Sequence, residues 1–339
     1  MRNYKADNIR FFLIFLVVFG HLLELFSGES RDLIYRFIYS FHIPALIFIT
    51  GYFARFNPKK ILFSLVWPYL LLQTLYLLFQ GYVIKGAESV TLNYTTPHWL
   101  LWYLLVVIFY YLLIPVLQRQ TKTEKITVFV VAVAASLLAG FDSSIGYYLS
   151  LSRFFTFLPF FVAGFYCGNG LQFAGKPALD KKKNLVVLLV CLAVLIPAMY
   201  GILSNGQLYS RNVLYGSYSY EKAAYSWVQR SVLLMAGFGW IGVLFAIAPG
   251  KKLPLVSMIG KNTLPVFLFH GFAVRLLGKL KIFQSSETGN ILLAAVIALG
   301  LLLLLGNPGS AWLCKWGFTG HWLSRLTGSQ KREKKRVRA

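Results

Sequence analysis

Residues 7–26 read DNIRFFLIFLVVFGHLLELF, and the positions between Arg10 and His21 carry no charged or hydrogen-bonding side chain. A run of this kind, repeated along the chain, calls for lipid as its solvent, because a bilayer requires about 20 apolar residues per helix. Basic residues precede the run as they would in a signal peptide. Yet Glu24 sits at its end, no small-residue cleavage site follows, and another apolar segment begins almost at once. The stretch is therefore expected to stay as the first membrane helix.

Working outward, apolar runs between charged or Gly/Pro/Asn-rich breaks lie near residues 11–26, 33–53, 61–83, 98–117, 126–141, 151–170, 184–203, 225–248, 255–278 and 290–306. The fold class is thus an all-α polytopic membrane protein of about ten transmembrane helices. Composition agrees: 57% of the 339 residues are hydrophobic and 13% charged, with a mean hydropathy of +0.62. In a soluble protein the formal net charge of +23 would suggest nucleic acid or an acidic partner. Its placement argues otherwise. With both termini cytosolic, 24 of the 34 Lys and Arg fall in the tails, the cytosolic loops and the helix ends facing them, and 10 on the outer side or in outer halves of spans. That asymmetry orients a membrane protein, so no nucleic-acid partner is implied.

Residues 1–325 read as one ten-helix membrane domain, and 326–339, which include KREKKRVRA, as a basic cytosolic tail suited to anionic lipid. There is no internal repeat, no second soluble domain and no Gly-rich phosphate loop in the sequence. Cys167, Cys191 and Cys314 lie in or beside apolar segments without the paired spacing of a disulfide framework or metal site. Two long outer loops, near 85–98 and 204–225, are rich in Tyr, Asn, Ser and Gly. They suit either stacking on sugar rings or an interfacial aromatic belt.

Ionisable groups inside spans are costly, so the search for chemistry reduces to a short roster. Arg10 and His21 are 11 residues apart, about 20° from three full helical turns, and so share one face. Asp7 and Glu24 fall on the same stripe, all four within an arc of about 100°. The rise from Arg10 to His21 is about 16 Å, which puts a cation at the cytosolic rim and an imidazole near the midplane. A long anionic donor entering from the cytosol matches this spacing. Arg10 would meet its phosphates, and His21 would serve as general base on an acceptor hydroxyl. The plainer alternative is that Arg10 anchors the helix end and His21 satisfies a polar neighbour.

His42, His98 and His270 also lie in or at the ends of spans, where a histidine taken singly is more often a hydrogen-bonded packing residue than a catalyst. Pro44, two residues after His42, is expected to bend its helix and free backbone groups to line a cavity. Arg153 sits at the outer start of the sixth span, either snorkelling to the interface or acting as an inward cation for an acceptor or an oxyanion. Arg230 and Arg275 pose the same question. Glu24, His42, His98 and Arg153 form the candidate substrate-binding set. No histidine pair has the i, i+4 spacing of a helical metal site, so no metal is expected.

DNIRFFLIFLVVFGH at 7–21, FHIPALIFITGYF at 41–53, HWLLWYL at 98–104, RFFTFLPFFVAGFYCG at 153–168 and IGKNTLPVFLFH at 259–270 together resemble the bacterial type-3 membrane acyltransferases. Within that group they are similar to the fucose 4-O-acetylase-like branch. The resemblance covers essentially the whole ten-span domain. It implies a multi-pass protein of the bacterial plasma membrane that moves an acyl group, typically acetyl, from cytosolic acetyl-CoA to a cell-surface glycan or lipid-linked sugar. The family's arginine and histidine of the first helix correspond to Arg10 and His21, and its arginine of the sixth helix to Arg153. Some relatives carry an extra helix and an extracytoplasmic esterase-like domain. None follows here, so transfer is expected to be completed by this chain or through a separate protein. Similar membrane domains fused to amino-acid racemases have been assigned to uptake, which makes a small-molecule transporter the alternative, although neither repeat symmetry nor paired broken helices is evident. A non-catalytic subunit of a polysaccharide export assembly is a third reading.

The charge asymmetry makes one testable statement. A cysteine substituted for Lys335 is expected to stay unlabelled when intact cells are treated with an impermeant maleimide; labelling there would reverse the orientation.

Overall fold

The computed structural model of the chain describes residues 2–118, 121–169 and 181–319. The basic tail 326–339, and most of the expected cytosolic loop at 169–183, lie outside the described residues. Within them every regular element is helical: α1 (Tyr4–Leu23), α2 (Glu29–Tyr39), α3 (His42–Phe53), α4 (Pro58–Lys85), α5 (Trp102–Leu117), α6 (Lys122–Leu138), α7 (Leu151–Asn169), α8 (Lys181–Ser204), α9 (Trp227–Ile247), α10 (Pro254–Lys261), α11 (Thr263–Lys279), α12 (Glu287–Leu305) and α13 (Pro308–Gly317). Eight stretches are long and apolar enough to cross a membrane: α1, α2 with α3, α4, α5 with its lead-in turn, α7, α8, α9 and α12. The other two expected spans correspond to α6 and α11, of 17 residues each. The second is preceded by a break at Asn262, which separates it from α10.

Helix starts are written locally. Side chains of Asn3, Asn57, Thr121, Ser226, Ser286 and Asn307 each accept a bond from a backbone N–H of the first turn they cap. Each supplies a partner to a donor that the helix itself leaves open. In α4 the stretches Leu62–Val66 and Phe79–Lys85 are wound as π-helix. The first ends just before Pro68, whose ring would press on the carbonyl of Ser64 in a regular helix, and the wider turn relieves that contact.

α1 is the most deeply buried of the eight candidate spans. It packs against α3, α10, α11 and α12, and this explains why its sequence is apolar all round instead of on one stripe. Polar chemistry is confined to its two ends, with Leu13, Val17 and Val18 buried between them.

The second organising contact is the crossing of α3 and α7. A Cβ added at Gly51 would collide with the carbonyl oxygen of Phe161, one at Gly164 with that of Phe48, and one at Gly168 with that of Tyr52. Backbones approach this closely only where small residues face them, the device by which membrane helices gain packing without a hydrophobic driving force. Because α3 begins with His42 and α7 carries Arg153 in its first turn, the crossing also fixes how these two residues face each other.

Pro44 does not bend a continuous helix, as the sequence suggested. The chain turns earlier, at Ser40 and Phe41, and Pro44 falls in the first turn of α3, where its missing N–H costs nothing. At the turn the Ile38 carbonyl accepts from the Phe41 N–H at 3.3 Å and also from Nδ1 of His42 at 2.8 Å.

Gly164→Leu is expected to force α3 and α7 apart and to lower the detergent-solubilised melting temperature. Gly201→Ala in α8, where an added Cβ meets nothing within 4 Å, should leave it unchanged. Fluorescence-detected size-exclusion after a heating series measures both, and equal melting temperatures would refute the role given to the crossing.

Candidate active site

The end of α1 that carries His21 opens into a cavity of about 280 Å³, lined also by His42, His98, Trp99, Arg153, Tyr215 and Arg275. A larger hollow of about 420 Å³ lies between α6, α8 and α9, but its walls are Phe129, Val133, Leu234, Phe238 and similar groups. Its hydroxyl, that of Ser231, is already donated to the Trp227 carbonyl at 2.8 Å. Size therefore does not locate the chemistry, and the polar lining does.

Within the cavity, Nδ1 of His21 lies 3.1 Å from Oε1 of Glu24, one helical turn on. A carboxylate can only accept, so Nδ1 carries a proton, and in the neutral ring Nε2 is the nitrogen with the lone pair. The same oxygen of Glu24 accepts from the hydroxyls of Tyr39 at 2.5 Å and Tyr215 at 2.9 Å. Three donors on one oxygen hold the carboxylate in place and charged. Tyr39 is itself clamped by stacking on Tyr35, with ring centroids 3.9 Å apart. Its ring edge is also the nearest atom that a Cβ at Gly20 would meet, at 2.9 Å, so the glycine before His21 makes room for it.

The other histidines converge on this point. The His270 ring stacks on His21 at 5.6 Å and is fully buried. Its Nδ1 donates to the Val266 carbonyl at 2.8 Å, and its Nε2 has no partner among the described residues. His42, held by Ile38 in the same way, also presents an unprotonated Nε2. His98 precedes α5 in extended backbone, pinned by its N–H to Oε1 of Gln73 at 2.8 Å. Gln73 is fully buried in α4 and its amide donates to the carbonyls of Asn93 and Thr96 at 2.6 and 3.0 Å, so one side chain anchors the whole 93–98 approach. Trp99, next to it, is held at φ +40°, a costly conformation for a bulky residue that is characteristic of functional sites. Its ring lies 4.6 Å from His21 on one side and 4.2 Å from the Arg275 guanidinium on the other.

The structure thus brings together His21, Glu24, His42, His98 and Arg153. It keeps Arg10 apart. That residue lies at the opposite end of α1, 3.5 Å from Asp7 and over the ring of Phe53 at 4.4 Å. Asp7 is also bound by Arg2 at 2.7 Å. Arg230 is not part of the cavity lining: its guanidinium donates to the carbonyls of Ser136 and Tyr218 and to the hydroxyl of Tyr225. Tyr39, Trp99 and Tyr215 are site residues that sequence reasoning did not assign, and Arg275, left open there between an interfacial and an inward cation, lies at the cavity. Tyr215 reaches Glu24 because the 205–226 segment folds down onto α7, with the Gly216 carbonyl accepting from Ser152 and Thr156 at 2.9 and 3.3 Å. Among the described residues no three His, Cys, Asp or Glu side chains are grouped as a metal ion would need.

A family model described as "Acyltransferase domain", of the type-3 acyltransferases, matches residues 3–306. No curated protein and no solved structure matches the chain. The matched region begins at the cap of α1 and runs past the end of α12, and so takes in every residue of the histidine cavity as well as Arg10. The chain belongs to the type-3 acyltransferase family and is a membrane acyltransferase.

Proposed function

We propose that this acyltransferase uses cytosolic acyl-CoA, with acetyl-CoA the simplest donor, and transfers the acyl group to a hydroxyl of a carbohydrate reached from the outer face of a bacterial plasma membrane. The observation that carries the reading is the His21–Glu24 pair, with Nδ1 at 3.1 Å from the carboxylate and Nε2 left as a lone pair at the cavity. An acceptor hydroxyl bonded to Nε2 loses its proton to the imidazole as its oxygen attacks the thioester carbonyl. The tetrahedral intermediate then breaks its C–S bond, and the departing CoA thiolate takes the proton back from the imidazolium. Glu24 keeps the imidazole in the correct tautomer and stabilises the transient imidazolium.

Arg10 suits the donor's phosphates at the other end of α1, about 16 Å from His21 by helical rise. Its planar fork matches phosphate oxygens in pairs. Arg153 and the 204–225 segment then belong to the acceptor side, together with His42 and His98, whose ring nitrogens suit sugar hydroxyls.

Purified protein is expected to release CoA from acetyl-CoA in an acceptor-dependent way, whereas solute accumulation in proteoliposomes without acyl-CoA would favour uptake instead. His21→Ala should retain acetyl-CoA binding and lose about 10²- to 10⁴-fold in transfer, the range general base catalysis supplies; wild-type turnover by the folded variant would refute the mechanism. Arg10→Ala should chiefly weaken donor binding, and Arg10→Lys should restore it only in part, since an ammonium keeps the charge but not the fork.

For Glu24→Gln the expected loss is about 10- to 100-fold in turnover with donor affinity unchanged, corresponding to one charge-assisted bond of about 1.5–3 kcal/mol. A stopped-flow measurement of CoA release separates the two quantities. Unchanged turnover would assign Glu24 to packing alone.

A further inference from the structure

The histidine cavity holds two guanidinium groups, those of Arg153 and Arg275. Arg153 is 7% exposed. It lies over the rings of Trp102 and Tyr147 at 4.8 and 5.0 Å, and its Nε donates to the Tyr215 carbonyl at 3.3 Å. Arg275 lies over Trp99 at 4.2 Å, and its Nε is buried without a partner among the described residues. Neither has a carboxylate at ion-pair distance, since the described pairs involve Arg2, Arg10, Arg31 and His21. The carboxylate of Glu24 acts on Arg275 only from beyond ion-pair distance, and its Oε1 already accepts from His21, Tyr39 and Tyr215.

The same chain shows what a structural buried arginine looks like. Arg230, 2% exposed, is met by two carbonyls and a tyrosine hydroxyl. Arg230 also lies over the rings of Tyr220 and Tyr225, whereas Arg153 has one carbonyl and the Tyr147 hydroxyl beside its ring faces, and Arg275 rests against the ring of Trp99 with its Nε unpartnered among the described residues. Ring contacts are worth about 0.5–2 kcal/mol each and orient a cation without neutralising it. Arg153 is buried and Arg275 half-buried, and two cations lining one cavity favour an anion that joins them.

We infer that the cavity binds an anionic oxyacid group, carboxylate or phosphate, carried by the acceptor and clamped between Arg153 and Arg275 while the reacting hydroxyl meets His21. This rests on the reading of His21 as the base for an acceptor hydroxyl. The donor's own phosphates do not supply the anion, because their cation is Arg10, about 16 Å away along α1. The two sources of the shared chemistry are a sugar carboxylate, as in a uronic acid, and the phosphate that links a sugar to a lipid carrier.

Both are tested with matched pairs on the purified full chain in nanodiscs: methyl glucuronide against methyl glucoside, and farnesyl phosphate against farnesol. Trp99 and Trp102 line the cavity, so tryptophan fluorescence reads binding without requiring transfer. At least one charged probe is expected to bind about tenfold or more tightly than its neutral twin, a difference of about 1.4 kcal/mol. Raising the salt concentration should erode that preference in the wild-type protein, a readout that needs no variant. Arg153→Gln and Arg275→Gln should each collapse it, and Arg275→Lys should retain part of it. A preference for glucuronide alone identifies the sugar as the source, and one for farnesyl phosphate alone identifies the lipid linkage. Equal affinities within each pair, or no binding by any probe, overturn the inference. Acceptor-dependent CoA release measured in parallel tells that failure from failure of the acyl-CoA reading, since turnover with a neutral acceptor would leave the latter standing.

Discussion

The carboxylate of Glu24 ties three parts of the protein to one point. His21 comes from α1, Tyr39 from the end of α2, and Tyr215 from the segment between α8 and α9. At this end of α1 a carboxylate largely withdrawn from water takes its hydrogen bonds from the protein, and whatever supplies them is held in register. The imidazole keeps its tautomer only while that carboxylate faces Nδ1, and the two tyrosine hydroxyls hold the carboxylate there. The geometry of the His21–Glu24 pair is thus inseparable from the packing of segments that are far apart in sequence.

Around that point the bundle is arranged by close approach more than by bulk. The α3–α7 crossing has carbonyl oxygens where a β-carbon would stand, and it joins the His42 turn to the Arg153 turn across the cavity. Gln73 plays the corresponding part on the other side, fixing the 93–98 segment so that His98 and Trp99 face His21. Both devices place polar or strained groups at the cavity wall while the surrounding helices remain apolar, the condition for electrostatic interactions to be strong there.

The distribution of charge separates the two ends of α1. One end presents Arg10 with Asp7 and Arg2, and the other an imidazole whose cavity carries two further cations. The proposed donor, held by its phosphates with its thioester toward the other end of α1, would have both requirements met on a single helix. The apolar turns between, Leu13 to Val18, keep those requirements apart.

What the sequence determined by itself is what depends on local periodicity and on solvent. The apolar runs impose membrane helices, and the spacing of Asp7, Arg10, His21 and Glu24 puts them on one face, because helical pitch is the same whatever the surroundings. The convergence of His42, His98 and Arg153 on His21, along with the parts played by Tyr39, Tyr215, Trp99, Arg275 and the stacked His270, was decided by tertiary structure, since it depends on which helices touch and at what depth. Even the turn before His42 and the break at Asn262 escaped a reading by residue type. Proline marks a first turn as readily as a kink, and only the neighbouring helices settle which one forms.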